Sequence, residues 1–439
     1  MGTGLRKILP LQCDQAQHIM RHRIIRRDIQ HRTQCRYRLC RSPHSTRFNR
    51  ALQKRLTFLH QKPPSFFAIG VTDGKTDATA LIRRPLAPSP HACQAFMMTQ
   101  APSFQTIMHD PQWLAHRYDP GHDAFHLRKV SRARRAEIPF LTDEYLGSDR
   151  PLIVRRTDAI EHAPPAAPIH FIFHSAYCCS TLLAAALDIP GTATALKEPV
   201  LLNDLVGWRH RGGRGAQVAR VIDDGLRVLA RPFSAAEATI VKPSNIVNPL
   251  IPAIMAMRPD ARALLLHAPL DAYLASIARK GMWGRLWVRD LFDKLIREGM
   301  LGSLGIAPDE YLRLTDLQVA AAGWLAQQQQ FQHLTATLKQ RVATIDSDSF
   351  LARPHDALAA LGQLFCLDLD HSAITAIVDG PVFARDAKSG DAFAPGKRAA
   401  DAKSGIALHA EELEKVAVWA SRVADGAGIP LALPQPLIG

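Results

Sequence analysis

One stretch, Ile169–Leu187 (IHFIFHSAYCCSTLLAAAL), limits the folds open to this chain more than any other. An apolar strand over Ile169–Phe173 runs into small residues, then into a helix over Ser180–Leu187 whose first turn holds Ser180 and Thr181. The unbonded amides of such a turn, with the helix dipole, favour an anion there. Small side chains let the backbone wrap a phosphate, and hydroxyls add hydrogen bonds. The stretch is not a Walker A loop, which would need Gly in place of His174 and Cys179 and Lys in place of Ser180. The same residues also suit an ordinary strand–helix junction capped by Ser180. Local sequence leaves both readings standing.

Around this stretch, short apolar strands alternate with helices. Strands are expected at Thr192–Leu196, Thr239–Lys242, Ala263–His267 and Val342–Asp346. Helices are expected over most of Asp204–Leu229, around Asn248–Met257, from Asp271, over Tyr311–Gln340 and over His355–Phe365. The alternation predicts an α/β fold in three layers, a mostly parallel sheet with helices on both faces. Such sheets bind ligands at the carboxyl ends of their strands. The core spans 168–379. Residues 97–167 read as a lead-in, with a short helix at Phe140–Gly147, an edge strand at Pro151–Arg155 and a Pro/Ala linker at His162–Pro168. Residues 380–439 read as a lid loop over Gly380–Gly405, then an amphipathic helix at His409–Asp425.

The formal charge of +14 belongs to the first fifth of the chain. Residues 1–96 hold 18 of the 54 Lys and Arg against only Asp14, Asp28, Asp73 and Asp77, and the remainder balances. Arg21–Arg50 has neither a helical nor a strand period. Residues 1–96 therefore read as a basic disordered extension, or as sequence upstream of a start at Met97 or Met98, ahead of a nucleic-acid arm. None of the seven cysteines has zinc-finger spacing, and adjacent Cys178 and Cys179 would strain a disulfide. A reducing, cytoplasmic setting is expected. No apolar run has the length of a membrane span, so neither membrane nor nucleic acid is an expected partner.

The loop resembles the 5′-phosphosulfate loop of the sulfotransferase family, above all bacterial members reading P-R-S-G-S-T-L-L. Ser180, Thr181, Leu182 and Leu183 fall on S-T-L-L, Cys178 and Cys179 on Ser-Gly, and Tyr177 on the basic residue. Lys197-Glu198-Pro199 resembles the E-P that follows the first helix, and Val342–Phe365 resembles the family's strand, acidic stretch, d-P and helix. The resemblance implies a P-loop-type fold that moves a sulfuryl group from 3′-phosphoadenosine-5′-phosphosulfate, without a metal, to a hydroxyl or amine of a small-molecule or glycan acceptor. Cys178, Cys179, Ser180, Thr181 and Leu182 would hold the donor's 5′ end. His267 and Ser276 stand where the family has an Arg and a Ser for the 3′-phosphate, the serine one place late and so turned by about a hundred degrees on a helix. Lys388, Lys397 and Arg398 resemble the basic loop that closes over the nucleotide.

Tyr177 is the main departure. A cation there would neutralise charge on the bridging oxygen as sulfuryl leaves. Lys242, at a strand's carboxyl end, is the first candidate to replace it; Arg279, Lys280, Arg285 and Arg289 could supply further charge. His174 and Glu198 are the candidate bases. Each also has a structural reading, as a solvated strand-end lysine, a core histidine or a loop carboxylate. Two rivals stay open. A nucleotide-dependent kinase of related fold would want Lys at the Ser180 position and a magnesium-binding Asp, for which Asp346 serves. A non-catalytic nucleotide-binding protein would keep the fold without the cation.

Overall fold

The computed structural model describes residues 103–385, 387–388 and 395–439, without the side chains of 395–408. The expected extension over 1–96 lies outside the described residues. The described chain begins with an antiparallel sheet of three strands, β1 (Trp113–Asp119), β2 (Ala124–Lys129) and β3 (Leu152–Arg155), in that order. The sequence reading had only a lead-in here, with β3 as an edge strand. A bulge between Ala115 and Arg117 shifts the register of the β1–β2 hairpin. A bulge breaks the period of two by which a strand is recognised.

The principal sheet contains β4 (Ile169–His174), β5 (Ala193–Lys197), β6 (Ala238–Lys242), β7 (Ala263–His267) and β8 (Val342–Asp346). All neighbours are parallel, and the order is β5-β6-β4-β7-β8. Every residue of β4 to β7 is buried, as expected of a parallel sheet covered on both faces. Alternate residues serve opposite layers. Ile172, Ile240, Leu264, Leu266 and Ile345 belong to one core, and Phe171, Phe173, Val241, Leu265 and Val342 to the other.

The helix following β4 is α1 (Ser180–Ala186); α2 (Val200–His210), α3 (Gly215–Leu229) and α4 (Ile251–Met257) come next. Leu205, Val218, Ile222 and Ile254 of α2 to α4 pack in the second core, together with Phe125 and Leu127 of the small sheet. The first core takes residues from α5 (Leu270–Arg279), α6 (Gly281–Arg297), α7 (Asp316–Leu338), α8 (Pro354–Phe365) and α9 (Pro395–Ala427).

Three helix limits differ from expectation. The single helix expected over Asp204–Leu229 is two, α2 and α3, because Gly212 turns the chain at φ +91°, which a side chain would oppose. Helix α7 starts only after Thr315, whose hydroxyl accepts from the Gln318 amide while the Gln318 side chain returns to the Thr315 amide. Part of the expected lid over Gly380–Gly405 is helical, since α9 begins at Pro395 and kinks at His409.

The topology sets the site. From β4 the chain turns first to β5 and β6 on one side, then crosses to β7 and β8 on the other. The carboxyl end of β4 is therefore the switch point, where open α/β sheets hold ligands.

Candidate functional site

The loop between β4 and α1 carries three non-glycine residues at positive φ: Ala176 at 76°, Tyr177 at 54° and Cys179 at 63°. L-residues avoid this region, at a cost of about 1–2 kcal/mol each. Dihedrals of this kind curl successive backbone N–H groups into a concavity that suits an anion. Without a glycine in the segment, nothing in the sequence announced the left-handed turns.

Side chains at the end of β4 and in the segment after β6, with backbone groups that follow β6 and β7, hold the loop in this shape. The His174 Nδ1 accepts from the Ala176 amide at 3.1 Å, and Nε2 donates to the Pro243 carbonyl at 3.0 Å. Fully buried Ser175 accepts at Oγ from the Ala268 amide at 3.3 Å, beyond β7. Asn248 Nδ2 donates to the His174 carbonyl and to Gln327 Oε1. Asn245, Asn248 and Gln327 are all buried. The signals for them in the sequence are slight: the run Gln327–Gln330 within an otherwise apolar helix, and Asn245 and Asn248 flanking Ile246 and Val247.

Of the three expected catalytic residues, all are brought together, in unequal roles. Lys197 and Lys242 are register partners on β5 and β6, and Glu198 follows Lys197 at φ +54°. Lys242, 1% exposed, pairs with the Glu198 carboxylate and lies 5.0 Å over the Phe140 ring. Burial pulls its proton affinity down, and Glu198 opposes that pull. Glu198 keeps 19% side-chain exposure, with the His174 ring 3.9 Å away. Burial, then the nearby charges of Lys242 and Lys388, drive the His174 pKa well below its ordinary value. With one ring nitrogen accepting and the other donating to backbone, His174 is a neutral brace of the loop. Glu198 is the carboxylate that solvent reaches. Burial, then the charges of Glu144 and Glu198, raise the proton affinity of Tyr145. Phe140 and Tyr145 both come from the stretch read as a lead-in.

The expected donor-binding residues divide. Ser180 and Thr181 open α1 and are buried. Leu182 and Cys178 put their side chains into the first core, so only their backbones face the loop. Burial pushes the Cys178 thiol up to about 11, which leaves it protonated and unsuited to nucleophilic work. Cys179 is half-buried at the left-handed cap position. His267 ends β7 opposite Asp346 of β8, and its buried Nδ1 has no hydrogen-bond partner. Ser276 lies on α5, where its hydroxyl donates to the Ala272 carbonyl at 2.8 Å.

Among the basic candidates, Arg285 forks onto Glu412, and Arg289 pairs with Asp316. Both join helices rather than serve the loop. Lys280 and Lys388 instead lie over Tyr177, at 5.8 Å and 5.4 Å from its ring centroid. The side chains of Lys397 and Arg398 lie outside the described residues. Asp346 caps the helix Ser347–Ala352, accepting from the Asp348 and Ser349 amides and the Ser349 hydroxyl. Among the described residues no cluster of three His, Cys, Asp or Glu could hold a metal ion, and no helix is long and apolar enough to cross a membrane.

No known family matches this chain, and no curated protein does. A solved structure similar to it is a sulfotransferase domain from the curacin biosynthetic pathway, at 15% identity and a TM-score of 0.32, covering 62% of this chain and 100% of that one. A likeness so slight carries no weight; the strand order and the side chains at the sheet's carboxyl edge stand on their own.

Proposed function

We propose that the chain is a transferase that moves a sulfuryl group from 3′-phosphoadenosine-5′-phosphosulfate directly to a hydroxyl or amine of a small-molecule or glycan acceptor. The observation that carries the reading is the braced left-handed loop at the switch point, with the Glu198–Lys242 pair at the two strand ends beside it. The loop amides, Ser180 and Thr181 would receive the donor's 5′ end, and His267, at the end of β7, would meet the 3′-phosphate. Ser276 would have to release the Ala272 carbonyl to join it.

In this reading Glu198 takes the acceptor's proton as the acceptor oxygen or nitrogen bonds to sulfur. The bond from sulfur to the bridging oxygen breaks, and its electron pair stays on the phosphate. Positive charge close to that oxygen is where stabilisation counts most, since charge develops there in the transition state. Lys242 contributes from beneath, through a carboxylate it keeps oriented.

The kinase reading is the poorer one. Ser180 stands where it wants a lysine, and the Asp346 carboxylate is engaged as a helix cap. The non-catalytic reading draws on Tyr177, which replaces the loop cation, and is separated by turnover. Calorimetry of the full chain with adenosine 3′,5′-bisphosphate, ATP and GTP tests the proposal. Tighter binding of the bisphosphate, independent of magnesium, is expected. Magnesium-dependent ATP binding with no affinity for the bisphosphate would transfer the case to the kinase.

A further inference from the structure

A cavity of about 520 Å³ shares no lining residue with the β4–α1 loop or with the strand ends beside it. It opens where residues 303–314, the start of α7 and the last turns of α9 meet. From α9 it takes Trp419, Arg422, Val423 and Gly426, spaced i, i+3, i+4 and i+7 and so on one helical face. Gly426 stands in open space, so the end of that face is left clear. Leu314 faces the cavity from the other side, and with Trp419 and Val423 makes an apolar wall.

The polar part of the lining is lopsided. Glu310 is its one carboxylate, and it accepts from the Ala307 amide at 3.0 Å. Gln318 has its Oε1 engaged by the Thr315 amide. Arg313 and Arg422 are exposed, and among the described residues neither has an ion pair or a hydrogen bond. Arg285, Arg289 and Arg297 of α6, by contrast, are each spent on a carboxylate. Two arginines against one carboxylate favour an anion of single charge. A guanidinium fork matches paired oxygens on a carboxylate or sulfate. The indole offers broad apolar surface at little entropic cost, and the volume suits a small molecule. A neutral apolar guest would leave both guanidinium groups unmatched.

We propose that this cavity is a second ligand site, for a monoanionic amphiphile: a carboxylate or sulfate ester on an apolar body. The head group meets Arg313 and Arg422 at the rim, and the body lies on Leu314, Trp419 and Val423. The site goes beyond the sulfuryl-transfer reading and does not depend on it.

Calorimetry of the full chain with decanoate and decyl sulfate tests the site, with decanol and butyrate for comparison. At least one of the two long-chain anions should bind, and the tighter one names the head group. Decanol lacks the charge and butyrate most of the apolar body, so each should bind at least about tenfold more weakly. Arg313→Met combined with Arg422→Met should lower the affinity for the anion about tenfold or more and flatten its salt dependence. Decanol affinity and the melting temperature should hold in that variant, since both side chains are exposed. A parent that binds neither anion, decanol bound as tightly as the anions, or a double variant that binds them as the parent does overturns the site. A double variant with weakened affinity for adenosine 3′,5′-bisphosphate also overturns it, because the cavity would then belong to the loop.

Discussion

Strands β5 and β6 carry a buried ion pair at each end, and the two ends are built differently. At the amino end, Arg132 reaches Glu237, Asp188 at 3.0 Å and the Ala193 carbonyl at 2.8 Å. Glu237, 2% exposed, also accepts from the Thr194 hydroxyl and from the amides of Gly191 and Phe233. Burial pushes its pKa up, but these hydrogen bonds outweigh that and hold it below the usual range. At the carboxyl end, Lys242 has one carboxylate partner, and that carboxylate is in contact with solvent. At the amino end the two carboxylates are enclosed and the cation keeps 20% side-chain exposure. The open pair leaves a carboxylate able to meet something else. On the proposed reading, the first arrangement is structural and the second is the working edge.

Removing the cation at each end should separate the two. Arg132→Met leaves Glu237 and Asp188 buried without a counter-charge, and should cost about 3–5 kcal/mol in urea denaturation. Lys242→Met leaves Glu198, which keeps contact with water, so the loss should be smaller, about 1–2 kcal/mol. Under the proposed function, sulfuryl transfer should nevertheless fall about 10²- to 10³-fold. Equal losses of stability in the two variants would erase the distinction between the ends.

The two histidines of β4 sharpen the contrast by pH. His170, in the amino half, accepts from the Arg262 amide at 3.1 Å and stacks on Phe365 at 5.3 Å. Burial, then the charge of Arg262, depresses its pKa to about 4. Above its unfolded value of about 6.5 the ring is neutral in both states, and its contribution is complete. As pH falls through 6.5 toward 4, the unfolded chain takes up the proton first, and stability is lost. His170→Gln should flatten that loss in a series of thermal melts, with bisphosphate affinity at pH 7.5 retained. His174 has the same sign, but there the acid form would also release the Ala176 amide, so binding should decay along with stability. A His170→Gln protein with an unchanged acid profile would refute the assignment.

The smallest effect belongs to the loop backbone. Cys179→Gly, at φ +63°, should alter stability by under about 1 kcal/mol, since relief of the left-handed penalty offsets glycine's entropy. Cys179→Val, β-branched in the same conformation, should cost about 1–2 kcal/mol. Identical melting of the two would mean that the turn at Cys179 is not left-handed.

The sequence by itself determined the parallel core. Short apolar runs at Ile169–Phe173, Thr239–Lys242, Ala263–His267 and Val342–Asp346 could be buried on both faces only by helices, and their alternation left little else. Strand polarity then places His174, Glu198, Lys242 and His267 at one edge, because each ends or follows a strand. What the tertiary structure alone decided is how these groups are spent. Nothing local says that His174 has both nitrogens committed, that Asp346 caps its own helix, or that Phe140 from the lead-in lies under Lys242. Nor could the sequence place Lys280 and Lys388 at one tyrosine ring, since they are more than a hundred residues apart in the chain. Short-range patterns encode what a residue can bury, which the chain itself reveals. The partner of a charge is set by long-range packing, which a linear sequence does not display.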